Sequence, residues 1–307
     1  MFTLNNYKKI AAVGIAITFS IPAFSKDELR VCLQEDSAPY SYKIKTEKKG
    51  FDVDLVSEIA KKMDRTLKLV WFEGEVERES SDALDANALL SKGKCDLVSG
   101  YALFEGSLGR PPVEKSRLPD IEGEPRSKKW ITLGVLTAST PYLNAPFTIL
   151  TNQNSGINED ISDLRELKGY KLAGLHGTLP HLIMMSSNKG YLANDLNNLR
   201  WVDDIYGRLD EGNFDAILTE LHKFEHYQQL NVAEGIKRTK YRHPLSFNLG
   251  FVALEEKSEL LRQVNLQIHK MLKSGDIEKI SQRNGISYVA PTRPYVLRRD
   301  VLMSYLF

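Results

Sequence analysis

An alternation that runs twice along the chain constrains its fold more than any other feature. Leu29–Leu33 (LRVCL) is a short apolar run of strand character, and Phe51–Met63 carries apolar residues at helical spacing. Leu67–Phe72 (LKLVWF) is a second strand, Ala83–Lys92 a helix ending before Gly93, and Cys95–Gly100 (CDLVSG) a third strand. Strands and helices that alternate over short loops imply parallel pairing with right-handed crossovers. The rhythm breaks at Phe104–Lys129, rich in Pro, Gly and charge, which reads as a long surface loop. It then restarts. Ile161–Gly169 reads as a short helix, Tyr170–Leu175 as a strand, and HGTLPHLIMMSS as the opening of a helix. LRWV and FDAILT follow as strands, then Phe247–Leu254, an amphipathic helix over Ser258–Lys273 stopped at Gly275, and a shorter one over Asp276–Arg283. The tail shows no helical pattern before Arg298.

Two successive units, with coil-rich junctions near 143–150 and 242–247, predict a two-lobed α/β protein with two linking strands and a central cleft. The expected division is 26–145 with 246–307 as lobe 1, and 146–245 as lobe 2. A cleft between such lobes is a common place for a small ligand.

The N-terminus predicts export. Lys8 and Lys9 precede an uncharged apolar run, Ile10–Ile21, and then Pro22-Ala23-Phe24-Ser25 with small residues where a signal peptidase cuts. That run is too short for a membrane-spanning helix. A signal peptide over 1–25, cleaved after Ser25, implies a periplasmic destination. About 280 residues then remain, too many for most single cores. Their charge is nearly balanced, since the whole chain has 41 basic and 40 acidic residues. Such a balance gives no support for a nucleic-acid or anionic-membrane partner. The two cysteines, Cys32 and Cys95, sit in or beside strands. In an exported chain the expectation is a disulfide, with two buried thiols as the alternative.

Catalytic and cofactor motifs are few. The chain has no G-x-S-x-G elbow, H-E-x-x-H, P-loop, or GxGxxG after a strand, so neither an enzyme nor a cofactor is expected. His222 and His226 share a helix face at i,i+4 and would suit a metal. The competing reading is a solvated face, with Phe224 and Tyr227 on the buried side, and it is preferred. The acids Glu35 and Asp36 would make the lobe-1 rim acidic if they faced the cleft. KIKTEKK (Lys43–Lys49) and the acidic run Glu73–Asp82 read as solvated loops. The apolar C-terminal tail would pack on a lobe or meet a partner protein.

The order of motifs resembles a known family. LRVCLQEDSAPYSY, GFDVDLVSEIAKKM, KGKCDLVSG, STPY, ISDLRELKGYKLAGLHGT, GNFDAILTEL, FNLGFVAL and the helix before QRNG occur in sequence over most of 28–286. This resembles the periplasmic solute-binding proteins, family 3, that serve polar amino acid ABC transporters. The resemblance implies a type II periplasmic-binding-protein fold, a small polar ligand, and delivery to an ABC permease by a monomer. It also implies a site. Tyr40, after Pro39 and with Tyr42 behind, would form an aromatic wall; read from the residues alone, Tyr40 and Tyr101 would either stack on a ligand or line the edge of the lobe-1 core. Asp52 or Asp54 would cap and pack the first helix. Gly177 and Thr178 would offer backbone N–H groups and a hydroxyl to a carboxylate at a helix N-terminus. Glu220, five residues after Asp215, would bind an amine, where an aspartate is usual.

One position departs from that pattern. The family's carboxylate-gripping arginine falls on Leu108, and Arg110 lies two residues late. Either Arg110 substitutes, or the ligand is not an ordinary α-amino acid. A narrower likeness rests on RVC…KCD: the binding-protein-like accessories of periplasmic quinoprotein dehydrogenases, whose partner would be a dehydrogenase. A dehydratase acting on prephenate-like acids, with Glu220 and His176 or His222, is a third alternative on the same fold.

Overall fold

A computed structural model describes residues 27–74, 82–127 and 129–306. The expected signal peptide lies outside the described residues, as does most of the acidic run from Glu73. Eight strands make the path of a ten-stranded sheet. In chain order they are β1 (Glu28–Gln34), β2 (Thr66–Phe72), β3 (Leu97–Ala102), β4 (Leu143–Asn152), β5 (Leu172–Leu175), β6 (Leu196–Leu199), β7 (Ala216–Glu220) and β8 (Ser246–Leu254). Their spatial order is β6-β5-β7-β4-β8-β3-β1-β2. Short strands at Leu136–Ala138 and Ile236–Arg238 pair with β8 and β4.

The alternation read from the sequence explains this topology. β1 pairs in parallel with β2 and β3, and β5 pairs in parallel with β6 and β7. Each parallel pair needs a crossover, supplied by α1 (Phe51–Lys62) and α2 (Asp82–Ser91) in the first unit. In the second, α3 (Leu179–Gly190) and α4 (Ile205–Asp210) do the same. β4 joins the units. Its residues Leu143–Pro146 pair with β8, and Phe147–Thr151 with β7. Every residue of β4 is buried, so the two halves share one continuous sheet through this strand.

α5 (Leu221–Leu230) follows β7 directly, and α6 (Ser258–Ser274) and α7 (Asp276–Arg283) close the first half. Leu261, Val264, Ile268 and Met271 of α6 form the buried stripe that helical spacing requires. Burying each such side chain contributes about 1.5–3 kcal/mol. Gly275, at φ 73, ends the helix in the left-handed conformation where a glycine costs least. Cys32 and Cys95 form the expected disulfide, with Cα atoms 5.7 Å apart. It ties β1 to the turn that enters β3.

Several local expectations are corrected. The long segment after Phe104 is not wholly loop: Lys115–Arg117 and Trp130–Thr132 pair as an antiparallel ribbon. KIKTEKK is likewise structured, its Ser41–Ile44 and Glu47–Lys49 pairing in a small meander. Lys43 and Lys48 lie over the ring of Trp71, 5.8 and 5.6 Å from its centroid. Residues 161–169 hold only a short 3-10 turn, Leu164–Leu167. The strand read as LRWV is Leu196–Leu199, and Trp201 and Val202 are exposed beyond it.

The tail forms α8 (Arg299–Leu306), whose Val301, Leu302, Tyr305 and Leu306 pack in one cluster with Ile183 and Met184 of α3. The tail thus touches both halves: α8 packs against α3, while Leu297 bonds to the backbone of Leu103 and Glu105 after β3. Among the described residues no helix is long and apolar enough to cross a membrane.

Candidate functional site

Parallel strands send their carboxyl ends to one edge, the usual location of a ligand crevice in α/β sheets. Tyr40 comes from the loop after β1, and its position is built by backbone contacts. The carbonyls of Pro39 and Tyr40 accept the first amides of α1, Phe51 N–H at 3.1 Å and Asp52 N–H at 2.8 Å. This satisfies donors that every helix N-terminus leaves open. Gly50 makes the approach possible: it sits at φ 128, and a Cβ there would lie 2.2 Å from the Tyr40 carbonyl oxygen. Asp52, directly beneath, is fully buried and accepts the Tyr142 hydroxyl at 2.8 Å. Burial pushes its carboxyl up to about 7, against the hydroxyls of Tyr142 and Ser99, which favour the ionised form. This is the packing role expected of Asp52.

Glu220 ends β7, opposite Phe147 of β4. The Tyr40 hydroxyl donates to Glu220 Oε1, and the Tyr40 hydroxyl oxygen lies 2.9 Å from His222 Nδ1. Residues 180 positions apart in the chain thus meet between the two units. Burial, and then the charge of Glu220, raises the Tyr40 phenol well above its usual value, so it remains a hydrogen donor. His222 has no exposed surface, and its Nε2 lies 2.9 Å from the Ser287 carbonyl. Burial lowers its basicity, which the charges of Glu220 and Glu225 oppose.

The preferred reading of the α5 histidines as a solvated face is therefore overturned. Residues 222, 225, 226 and 229 recur at i, i+3, i+4 and i+7, one face of a helix. That face docks on the first half. Glu225 accepts the Ser287 N–H at 2.8 Å, the His226 and Tyr42 rings lie 4.8 Å apart, and Gln229 donates to the Gly285 carbonyl at 2.8 Å. Phe224, on the expected buried side, packs beneath β4 and β7. His222 is buried and Glu225 and His226 half-buried by these polar contacts, while Lys223, Gln228 and Gln229 stay exposed. Among the described residues no group of three or more His, Cys, Asp or Glu side chains is placed to hold a metal ion.

The other predicted site residues are placed differently. Thr178 caps α3: its hydroxyl donates to the Leu175 carbonyl at 2.7 Å and accepts from His181 N–H at 3.4 Å. Gly177, at φ 82, makes the turn out of β5, and a Cβ there would meet nothing. Both lie at the carboxyl end of β5, the edge that Glu220 occupies on β7.

Tyr101 does not join Tyr40. Gly100 takes φ 71, and β3 has one residue more than β8 across this stretch, Gly250 pairing with Tyr101 and Val252 with Val98. The bulge turns Tyr101 onto the face of Val98, into the cluster of Cys32 and Leu103. Its hydroxyl donates to the Ser107 carbonyl at 3.0 Å. Tyr40 packs in the cluster on the other face.

Arg110 is exposed, at a cavity of about 300 Å³ that Leu84, Phe104, Leu108 and Leu136 also line. Glu35 is paired with Lys43, which neutralises the acid expected on the rim. Sequence reasoning thus missed Glu225 and considered His222 only as a metal ligand or as a dehydratase partner of Glu220, although the polar spacing along α5 was a usable signal for both.

Residues 29–102 match the bacterial extracellular solute-binding proteins, family 3. No curated protein matches the chain. Among solved structures, substrate-binding domain 2 of Lactococcus lactis GlnP, in open conformation, superposes with a TM-score of 0.60 at 18% identity, covering 84% of this chain and 95% of that one. An ancestral arginine-binding protein bound to arginine gives 0.53 at 22%, over 84% and 98%. The unliganded, open L-cystine solute receptor of Neisseria gonorrhoeae gives 0.59 at 17%, over 87% and 96%. At these identities the likeness carries the fold, that of the type II periplasmic binding proteins.

Proposed function

We propose that this chain, similar to the family 3 solute-binding proteins over residues 29–102, is an extracytoplasmic binding protein for a small polar solute that bears a cationic amine. The observation that supports this most is the meeting of Glu220, at the end of β7, with Tyr40 from the loop after β1. Glu220 is the acid whose spacing resembles the family's amine ligand. It is half-buried at the edge where strand ends of both units converge, and it already accepts a hydrogen bond there. In this reading a ligand ammonium takes over the donor position that the Tyr40 hydroxyl holds. Gly177 and Thr178 stand at the same edge for an anionic group. The halves close around the solute by bending at β4 and β8, and the closed form is presented to an ABC permease. The chain has no reaction of its own in this reading, and Asp52 is structural.

A thermal-shift screen with amino acids, amines and small acids tests it. Stabilisation by amine-bearing compounds is expected. Glu220→Gln should weaken that binding by about 10- to 100-fold, the loss of one charge-assisted hydrogen bond. Unchanged affinity would remove Glu220 from the site.

A second reading is favoured by a different observation. The polar face of α5 already joins the two halves through Tyr40, Tyr42, Gly285 and Ser287. Leu108 replaces the family's arginine, and Arg110 lies at a different cavity. These suit a protein-interaction role, as an accessory of a periplasmic quinoprotein dehydrogenase. Co-purification of a dehydrogenase, with no stabilisation by any solute, would establish it over transport.

A further inference from the structure

The hydrogen count at the junction of the two halves has a consequence for ligand binding, given the reading of Glu220 as an amine anchor. The carbonyl of Ser287 can only accept, so His222 Nε2 carries a hydrogen toward it. The other ring nitrogen, Nδ1, lies 2.9 Å from the Tyr40 hydroxyl. That hydroxyl has a single hydrogen, and Glu220 accepts it. With Glu220 ionised and His222 neutral, two acceptors face one hydrogen, in a place where His222 and Tyr40 are almost wholly buried. One added proton completes the set. Nδ1–H then donates to the Tyr40 oxygen, and the Tyr40 O–H to the Glu220 carboxylate. Placing that proton on Glu220 and reversing both bonds gives the same count.

An ammonium group completes the set in another way. It donates to Glu220, the Tyr40 hydrogen turns to His222 Nδ1, and every acceptor is satisfied with a neutral imidazole. The added proton then has no place and leaves to solvent.

We propose that a proton and the ammonium group of the ligand compete for the Tyr40–Glu220–His222 cluster, so that each amine bound at acid pH displaces one proton. The groups around the cluster do not replace this exchange. Glu225 on α5 and Arg242, before β8, face His222 with opposite charges. Asp52 on α1 and the phenol of Tyr142 face Tyr40, and the phenol of Tyr206 faces Glu220. Burial keeps His222 below the ordinary imidazole range, so the exchange belongs to mildly acid pH, and at neutral pH the cluster is already open to an amine.

Calorimetric titration of the intact, disulfide-bonded chain with L-arginine and with putrescine tests this. Each titration is run in buffers of different ionisation enthalpy from about pH 8 to pH 5. Proton release should rise from near zero towards one per ligand as the pH falls. Affinity should weaken by up to about tenfold per unit over the same range. His222→Gln and Tyr40→Phe should each flatten the proton count wherever binding persists, and either variant suffices if the other fails to fold. Binding of an amine with a flat proton count in the unmodified chain overturns the exchange and leaves the solute-binding reading standing. Failure of both amines to bind at any pH removes Glu220 as an amine anchor, and the exchange with it.

Discussion

Gly50 and Asp52 show how closely the Tyr40 loop depends on single side chains. A methyl group at position 50 meets the Tyr40 carbonyl oxygen at 2.2 Å and adds a left-handed φ of 128 to the cost. Gly50→Ala should therefore destabilise the protein by about 2 kcal/mol or more, measured by urea unfolding; a loss within experimental error would mean that the loop relaxes freely. Asp52 makes a prediction with a defined sign. Its carboxyl is raised from an ordinary 3.8 to about 7 by burial, so between those values the folded state holds a proton that the unfolded state has lost. Stability from this group is fully present below pH 3.8 and declines until about pH 7, by about 4 kcal/mol in all. Asp52→Asn should remove that decline. Unfolding free energies of the two proteins between pH 4 and 8 check it, and parallel curves would reject it.

At the scale of the element, α5 is the least ordinary part of the molecule. A helix with one apolar and one polar face is usually read as half solvated, and that reading misses this helix because its polar face meets protein. Glu225 accepts both the N–H and the hydroxyl of Ser287, and Gln229 reaches Gly285. Glu225→Ala removes both bonds to the exposed Ser287, whose amide water can then reach, and should cost about 1 kcal/mol. Combined with Gln229→Ala, it should also loosen the two halves, seen as a larger radius of gyration in small-angle scattering. An unchanged radius would show that the other contacts across the junction, those of Tyr40, Tyr42 and His222 among them, hold it without Glu225 and Gln229. β3 gives the complementary lesson. Strict alternation would put Tyr101 on the face of Tyr40, and one left-handed glycine, Gly100, moves it to the other. Nothing local to that stretch distinguishes a bulge from a regular strand, because the extra residue is defined only by its pairing with β8.

For the whole molecule, the disulfide closes a separation of 63 residues and includes α1, β2 and α2. Restricting the unfolded chain over such a loop is worth about 4 kcal/mol in the chain-entropy view. Replacing both cysteines by serine should lower stability by about 2–4 kcal/mol, and the unmodified chain should show no free thiol in denaturant. Two free thiols would contradict the bridge.

The sequence by itself determined the two successive α/β units and the amphipathic helices, because each depends on periodicity or turn chemistry within a few residues; Glu220 was marked only through the resemblance of its spacing to the solute-binding family. It could also nominate Cys32 and Cys95 as partners, since both flank strands of one unit. What only the tertiary structure decided is which side chains share a site. Tyr40, Glu220, His222 and Ser287 come together through the pairing of β4 with both β7 and β8, and Arg110 and Tyr101 are carried elsewhere. Such meetings depend on the relative placement of distant elements, which local chain preferences do not encode.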